Sequence, residues 1–217
     1  MKKLIITSLI TASLLLTGCQ SAYYGAMEKV GYHKRDIMVD RVKAAKESQE
    51  NAQKEFSSAL EEMQALLNHK EGNLQKTYDK AKYEYESAQS AADNVSDRID
   101  KVEGVAEALF DEWQTEITEI SKANLRRNSE AKLKETRRSY EQLIKGMRRA
   151  ESKMPPILTA MKDNMLYIKH NLNAQAIGAI KGEFDSLQID ISDLIKEMNK
   201  SINESTKFIE ALEKSNG

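Results

Sequence analysis

Apolar or small residues recur along most of the chain at alternating spacings of three and four, which predicts long helices packed along heptad seams. One position of the first seam, Gln49, is polar. The seam comprises Met38, Val42, Ala45, Gln49, Ala52, Phe56, Ala59, Met63 and Leu66. Gly72 follows it, and a glycine at that place adopts the left-handed conformation that ends a helix. We therefore predict a first helix from Lys34 to Asn68.

The second seam continues from Leu74 without a break in register. Every member is apolar, aromatic or alanine: Leu74, Tyr78, Ala81, Tyr85, Ala88, Ala92, Val95, Ile99, Val102, Ala106, Leu109, Trp113, Ile117 and Ile120. The register survives the polar run Asp93-Asn94-Val95-Ser96, so one continuous helix to about Ser121 is expected. At 1.5 Å per residue it would be about 70 Å long.

A third helix is predicted from Leu125 to Met154, because Pro155 and Pro156 either end one helix or begin the next. The fourth seam has two irregularities. It loses register between Leu172 and Ile177, which predicts a bend near Asn173. It then takes two spacings of four in succession at Leu194, Met198 and Ile202, a stutter that locally relaxes supercoiling.

These patterns predict an all-α fold, an elongated antiparallel helical bundle or coiled coil of about four long helices, in one domain over residues 34–217. Composition agrees, because 217 residues with only 9 Gly and 2 Pro are too poor in turn formers for a sandwich, a barrel or a doubly wound sheet. The net charge of -1 argues against a strongly basic nucleic-acid binder, and one Cys excludes a disulfide framework.

The N-terminal segment has the pattern of an export signal. Met1 to Lys3 is basic, Leu4 to Leu16 is an uncharged, mostly apolar run, and Leu16-Thr17-Gly18-Cys19 resembles the bacterial lipobox. We predict a cleaved lipoprotein signal peptide over residues 1–18, lipidation of Cys19 and a tether over residues 19–33. Gln20 after the acylated Cys favours the outer membrane, with the protein facing the periplasm. The alternatives are an ordinary thiol or an uncleaved anchor.

Charge is concentrated in the third predicted helix. Lys122 to Lys153 has 11 basic and 4 acidic residues, and arginine pairs recur in it every 11 residues as Arg126-Arg127, Arg137-Arg138 and Arg148-Arg149. Guanidinium groups so arranged could bind an anionic lipid or acidic partner. They could instead pair within the bundle with an acidic stripe on the second helix, formed by Asp93, Asp97, Asp100, Glu107 and Asp111. The second interpretation is favoured, because charged coiled-coil flanks commonly set register.

No arrangement of residues points to catalysis. His33, His69 and His170 lack metal-ligand neighbours at helical spacing, and no phosphate loop or nucleophile motif is present. We therefore expect no cofactor and no metal. One polar cluster, formed by His170, Asn171, Asn173 and Gln175, is either a ligand site at the predicted bend or a set of buried hydrogen bonds that fixes register. Trp113, Met161 and Met165 are expected in the core.

Several runs of residues resemble a family of uncharacterised Gram-negative lipoproteins classed as a domain of unknown function. The resemblance covers essentially the whole chain after the signal segment. Its most specific stretches are Tyr23-Tyr24 through Lys34-Arg35-Asp36-Ile37, AEALFDEW over 106–113, Leu125 to Ser129, Glu135-Thr136-Arg137-Arg138, Met147 to Glu151 and KHNLNAQAI over 169–177. It implies an α-helical, coiled-coil-like lipoprotein and no assigned activity.

The leading functional expectation is a non-enzymatic helical protein, tethered to the membrane by its lipid. It would present surfaces to envelope proteins or to further copies of itself. The alternative is a module that binds an anionic envelope lipid or other anionic ligand through the arginine pairs. An enzyme with carboxylate chemistry is the weakest hypothesis, since it needs a concave pocket that a narrow bundle rarely supplies.

Overall fold

A computed structural model describes residues 33–68, 74–170 and 180–214, and the regular secondary structure in these ranges is entirely α-helical. The five helices are α1 (Lys34–Leu67), α2 (Leu74–Glu119), α3 (Ala123–Ser152), α4 (Met154–His170) and α5 (Lys181–Lys214). The predicted all-α fold is confirmed, and the first two predicted helices match α1 and α2 to within two residues at each end.

The helices form an up-down-up-down bundle. Helix α1 runs antiparallel to α2, since Lys34 at its start contacts Glu112 at 2.7 Å and Ser58 near its end contacts Glu84 at 2.8 Å. Helices α3 and α4 both run back along α2, and α5 returns antiparallel to α1, with Lys43 paired to Glu213 at 2.8 Å. The starts of α1 and α3 and the ends of α2 and α5 therefore share one end of the bundle, which we call the α1 end.

Every predicted member of the first seam is buried in α1, including Gln49. Helix α2 is buried over a wider arc than its seam predicted. Besides ten of the predicted seam positions, the core takes in Ala91, Val105 and Phe110. The reason is that α2 packs against α1 on one side and against α3 and α4 on another, so a single a/d stripe cannot cover all its contacts.

The expectation of one bent fourth helix was wrong. Helix α3 ends at Ser152 and α4 begins at Met154 and continues along α2. Pro155 and Pro156 therefore lie in the first turn of α4. In a first turn the missing proline N–H groups cost no intrahelical hydrogen bond. At the far end, residues of α1, α2, α4 and the start of α5 share one small core, formed by Leu66, Tyr78, Ala81, Met165, Ile168 and Ile180. Helix α5 then runs in the opposite direction to α4.

The predicted stutter in the last seam was also wrong. The fully buried residue after Met198 is Ser201, whereas Ile202 is only partly buried. The buried positions Leu194, Met198, Ser201, Ser205, Phe208 and Leu212 continue the alternation of three and four. The heptad therefore passes through two serines, and the apolar Ile202 lies beside it.

A polar layer crosses the middle of the bundle. Gln49 and Ser201 are each 0 % exposed, and among the described residues neither the Gln49 amide nor the Ser201 hydroxyl has a hydrogen-bond partner. The two lie at the same level, because the contacts of Lys43 with Glu213 and of Gln53 with Asn199 set the α1–α5 register. At this level Gly146 of α3 leaves room for the Glu204 carboxylate, whose Oε2 would lie 2.0 Å from a Cβ on Gly146.

Replacing Gln49 with Met should raise the free energy of unfolding by roughly 1–2 kcal/mol, because a buried polar group without a partner costs about 1–3 kcal/mol. Urea denaturation measures the change. The matched control is Gln53→Met, which should be destabilising because the Gln53 amide donates to the Ile195 carbonyl at 3.2 Å and to Asn199 at 3.1 Å. A loss of stability in Gln49→Met would show instead that an internal water satisfies the amide.

Candidate functional site

Several predicted site residues lie outside the described ranges. These are Cys19 with the tether up to residue 32, and Asn171, Asn173 and Gln175 of the polar cluster. His170 is described, and it is exposed at the end of α4. Trp113 is partly buried against the main core and donates its indole N–H to the Ser129 hydroxyl at 2.9 Å. Met161 and Met165 are buried, as predicted.

Helix α3 places the two members of the second and third arginine pairs in different surroundings. Successive residues on a helix are 100° apart, so one member can turn toward α2 while the next faces away from it. The first members of the second and third pairs, Arg137 and Arg148, contact α2. The second members, Arg127, Arg138 and Arg149, are exposed to solvent, as is Arg126 near the start of the helix.

Arg148 is the centre of an ion-pair network between α3 and α2. Its guanidinium contacts Glu103 at 2.5 Å and Asp100 at 2.6 Å on α2, and Glu151 at 2.8 Å on its own helix. These hydrogen bonds, led by the one to Glu103, raise the pKa of Arg148. The side chain is thus occupied within the bundle. Asp100 belongs to the acidic stripe, so one predicted intramolecular pairing of that stripe is present.

Arg137 contacts α2 and has no acidic partner in the part of the chain that the structure describes. Its guanidinium lies 5.3 Å from the Phe110 ring centroid and donates to the Phe110 carbonyl at 3.3 Å. Tyr140 packs edge-on against the same ring, with centroids 5.4 Å apart. Burial, with a smaller effect of Glu103, raises the pKa of Tyr140 to about 12. Arginine and aromatic packing therefore join α3 to α2 at this level.

The outward members of the pairs belong to a longer line of cations. Lys134 and Lys145 are also exposed, and the spacings of seven and four from Arg127 place all five within an arc of about 60°. We call this set the basic stripe: Arg127, Lys134, Arg138, Lys145 and Arg149. It is about 33 Å long, and the acidic residues of α3 lie outside its arc. The sequence pattern pointed to the repeated arginine pairs and not to Lys134 and Lys145, because which cations face outward depends on how α3 packs against α2 and α5.

Most of the basic stripe is unpaired. Within residues 33–68, 74–170 and 180–214, no ion pair joins Arg127, Lys134, Arg138 or Lys145 to an acidic side chain. Arg149 lies 3.6 Å from Glu197 of α5, and about half of its side chain remains exposed. The predicted intramolecular pairing thus holds for Arg148, while the outer face of α3 keeps its charge available to other molecules.

The acidic stripe on α2 is exposed at all five positions. Asp97 pairs with Lys101 of the same helix, which lowers the pKa of the Asp97 carboxyl. Asp93 accepts a hydrogen bond from Gln89 at 3.0 Å. Glu107 and Asp111 have no side-chain partner in the described part of the chain. The bundle therefore carries a line of negative charge on α2 beside a line of positive charge on α3.

Neither a metal centre nor a membrane span is found in the part of the chain that the structure covers. There, no three His, Cys, Asp or Glu side chains are grouped so as to hold a metal ion. None of the described helices has the apolar stretch that crossing a bilayer requires. A groove of about 330 Å³ between α2 and α4 is lined by scattered polar and apolar residues such as Tyr85, Asp93 and Lys162.

Comparison with known proteins identifies a family and no activity. The family model described as "Protein of unknown function (DUF2959)" matches residues 23–212. No curated protein and no solved structure matches the chain.

Replacement of Arg148 with Met should lower the free energy of unfolding by about 1–2 kcal/mol, because it removes three charge-assisted contacts and leaves Glu103 without its partner. Arg138→Met is the matched control and should change stability by less than about 0.5 kcal/mol, since its side chain is exposed and unpaired. Urea is the denaturant to use, because guanidinium chloride is a salt and would screen the ion pairs. Equal effects of the two substitutions would contradict the division of the arginine pairs into inward and outward members.

Proposed function

Because the chain belongs to the DUF2959 family of proteins of unknown function, which provides no activity, we propose a function from its architecture. It is a helical lipoprotein of the cell envelope, held on the membrane by an acylated Cys19. It acts as a structural or protein-interaction module, a scaffold or adaptor, without catalysis. The membrane is the outer membrane, and the bundle faces the periplasm.

The observation that carries the proposal is where the chain enters the bundle. His33 and Lys34 lie at the α1 end, where Lys34 contacts Glu112 near the end of α2. The opposite end, where α2 begins and α4 ends, is about 70 Å away along α2. A lipid on Cys19 would therefore attach one end of a rod to the membrane and leave its long faces accessible to partners.

The nature of those faces supports a role in binding over one in catalysis. The seams are filled by apolar side chains, and the outer surfaces of α2 and α3 are lined by charge. Among the described residues, many of the hydrogen-bonded carboxylates have ion-pair partners such as Lys34, Lys43 and Arg148. An exposed line of charge can recognise a partner electrostatically without a pocket.

Cys19→Ala tests the tether directly. In cells given a radiolabelled fatty acid, the wild-type chain should incorporate label and sediment with outer membranes, whereas Cys19→Ala should do neither, because no thiol remains to be acylated. Ser21→Ala is the matched control next to the anchor and should behave as wild type. Label retained by Cys19→Ala would refute the lipid attachment.

The interaction role is tested by cross-linking in intact cells, followed by mass spectrometry. Recurrent links from the wild-type chain to one envelope protein, reduced in Cys19→Ala, would support an adaptor. Links between copies of this chain alone would support a self-assembling scaffold. The absence of any intermolecular link, at an expression level where links within the bundle are recovered, would contradict both.

A second candidate is the binding of an anionic ligand along the basic stripe. The observation that favours it is the outward, unpaired position of Arg127, Lys134, Arg138 and Lys145 on one face of α3. Such a face attracts anionic lipid headgroups or acidic proteins, with a strength that falls as salt screens the charges.

Vesicles that contain phosphatidylglycerol provide the probe for this candidate. Changing Arg127, Lys134 and Arg138 to Gln should lower the fraction of protein that co-sediments with them at low salt by several-fold, because each nearby cation contributes about 1 kcal/mol. The control changes Lys54, Lys196 and Lys207 to Gln, which removes the same charge from α1 and α5. Equal losses in both variants would mean that net charge alone, and not the basic stripe, governs binding.

A further inference from the structure

The two stripes of opposite charge lie on neighbouring helices. The α2–α3 register is set by Trp113 with Ser129, Phe110 with Tyr140, and Glu103 with Arg148. It places Arg138 at the level of Asp111, and Lys145 at the level of Glu107. Arg137 and Arg148 are the arginines that contact α2. Arg138 and Lys145 therefore take no part in holding the bundle together.

We propose that the α2–α3 face docks onto the same face of a second copy of this chain. Arg138 and Lys145 of each copy then face Asp111 and Glu107 of the other. The face is complementary to itself, because one copy supplies both the cations and the carboxylates. A second copy of the chain is then the protein partner in the proposed interaction role. Its carboxylates are also the anionic groups that the basic stripe binds.

Only one arrangement of two copies brings opposite charges together. If the twofold axis lies in the interface and runs parallel to the helices, α3 of each copy faces α2 of the other. If the axis lies in the interface but runs across the helices, α2 faces α2 and α3 faces α3, which opposes like charges. A closed twofold dimer therefore has its axis along the bundle.

The same axis determines where the two N-termini lie. A rotation about an axis parallel to the helices keeps both α1 ends on the same side, so the two chains enter their bundles side by side. The lipids on the two copies of Cys19 would then lie on the same side of the dimer, toward one membrane. This step rests on the proposed function, whereas the association of the charged faces does not.

We expect the affinity between two copies to be weak. A face about 33 Å long and two helices wide offers on the order of 650 Å² per copy, below the roughly 800 Å² of a stable interface. Exposed ion pairs contribute little each, and salt screens them. Two copies tethered in the same membrane would meet at a much higher effective concentration than copies in solution.

A lipid surface fits this face less well than a second copy. The acidic stripe lies beside the basic stripe, so an anionic membrane pressed against the α2–α3 face would meet Glu107 and Asp111 as well as the cations. A partner that carries both signs in the matching order satisfies both stripes. For this reason we favour a second copy.

The test reverses the charge of two residues in each stripe in turn. It uses the full chain in an uncharged detergent. One variant carries Arg138→Glu and Lys145→Glu, and the other carries Glu107→Lys and Asp111→Lys. Sedimentation equilibrium at low salt should show the wild-type chain in a monomer–dimer equilibrium that shifts to monomer at about 1 M salt, where the Debye length is about 3 Å. Each variant alone should lose at least tenfold in association, because like charges then face each other at the levels of Arg138 with Asp111 and of Lys145 with Glu107.

Mixing the two variants is the decisive measurement. In a mixed pair, the two introduced glutamates on α3 of one variant face the two introduced lysines on α2 of the other. The second half of the interface pairs the unchanged residues at the same two levels. Association should therefore return toward the wild-type level in the mixture. Circular dichroism confirms that each variant remains helical. If one does not, Arg138→Gln with Lys145→Gln replaces the first variant and Glu107→Gln with Asp111→Gln the second, with partial loss expected alone.

Three outcomes would overturn the proposal: a wild-type chain that stays monomeric at low salt, reversed variants that still self-associate, or a mixture that stays monomeric. If the mixture stays monomeric while only the first variant loses binding to phosphatidylglycerol vesicles, lipid is the partner of the basic stripe. Failure of the tether would be seen separately, in the fatty-acid labelling of Cys19, and would leave the sedimentation result unchanged.

Discussion

The architecture depends on the burial of α2 on two sides at once. Its 46 residues provide the length against which α1, α3 and α4 all pack, and an isolated helix of that sequence would be marginal in water without such contacts. Small residues allow these neighbours to approach closely, since Ala88, Ala91, Ala92 and Ala106 are all buried. The outward side of α2 is then the side that none of the described helices covers, and the acidic stripe lies there.

The division of the arginine pairs follows from the same constraint. A helix that packs along one neighbour turns every third or fourth residue toward it, so adjacent arginines cannot both face α2. Arg148 and Arg137 suffice to join the helices, through carboxylates and through Phe110 respectively. The positive charge of Arg138, Lys145 and Lys134 is therefore not explained by the packing of the bundle.

Most of the fold could be predicted from the sequence, because heptad periodicity reports burial directly. It located α1 and α2 and the buried Gln49. It failed at two places. Ile202 suggested a stutter, yet the seam passes through Ser201. The apolar positions before and after Asn173 suggested one bent helix, yet α4 and α5 are separate helices that run in opposite directions. Periodicity identifies the face that a helix buries, but the direction of the next helix depends on tertiary contacts such as those of Met165 and Ile168.

The candidate surface was only partly predictable, for a related physical reason. The sequence showed that α3 is basic and that its arginines recur, but the partner of each side chain depends on the angle between α3 and α2. The polar layer helps to fix that geometry. The α5 seam through Ser201 and the close approach of Glu204 to Gly146 hold α5 in one register beside α3, as polar seam residues do in coiled coils. With α5 beside Arg149 and α2 beside Arg148, the arc of α3 between the two contacts faces outward, and the basic stripe lies in that arc.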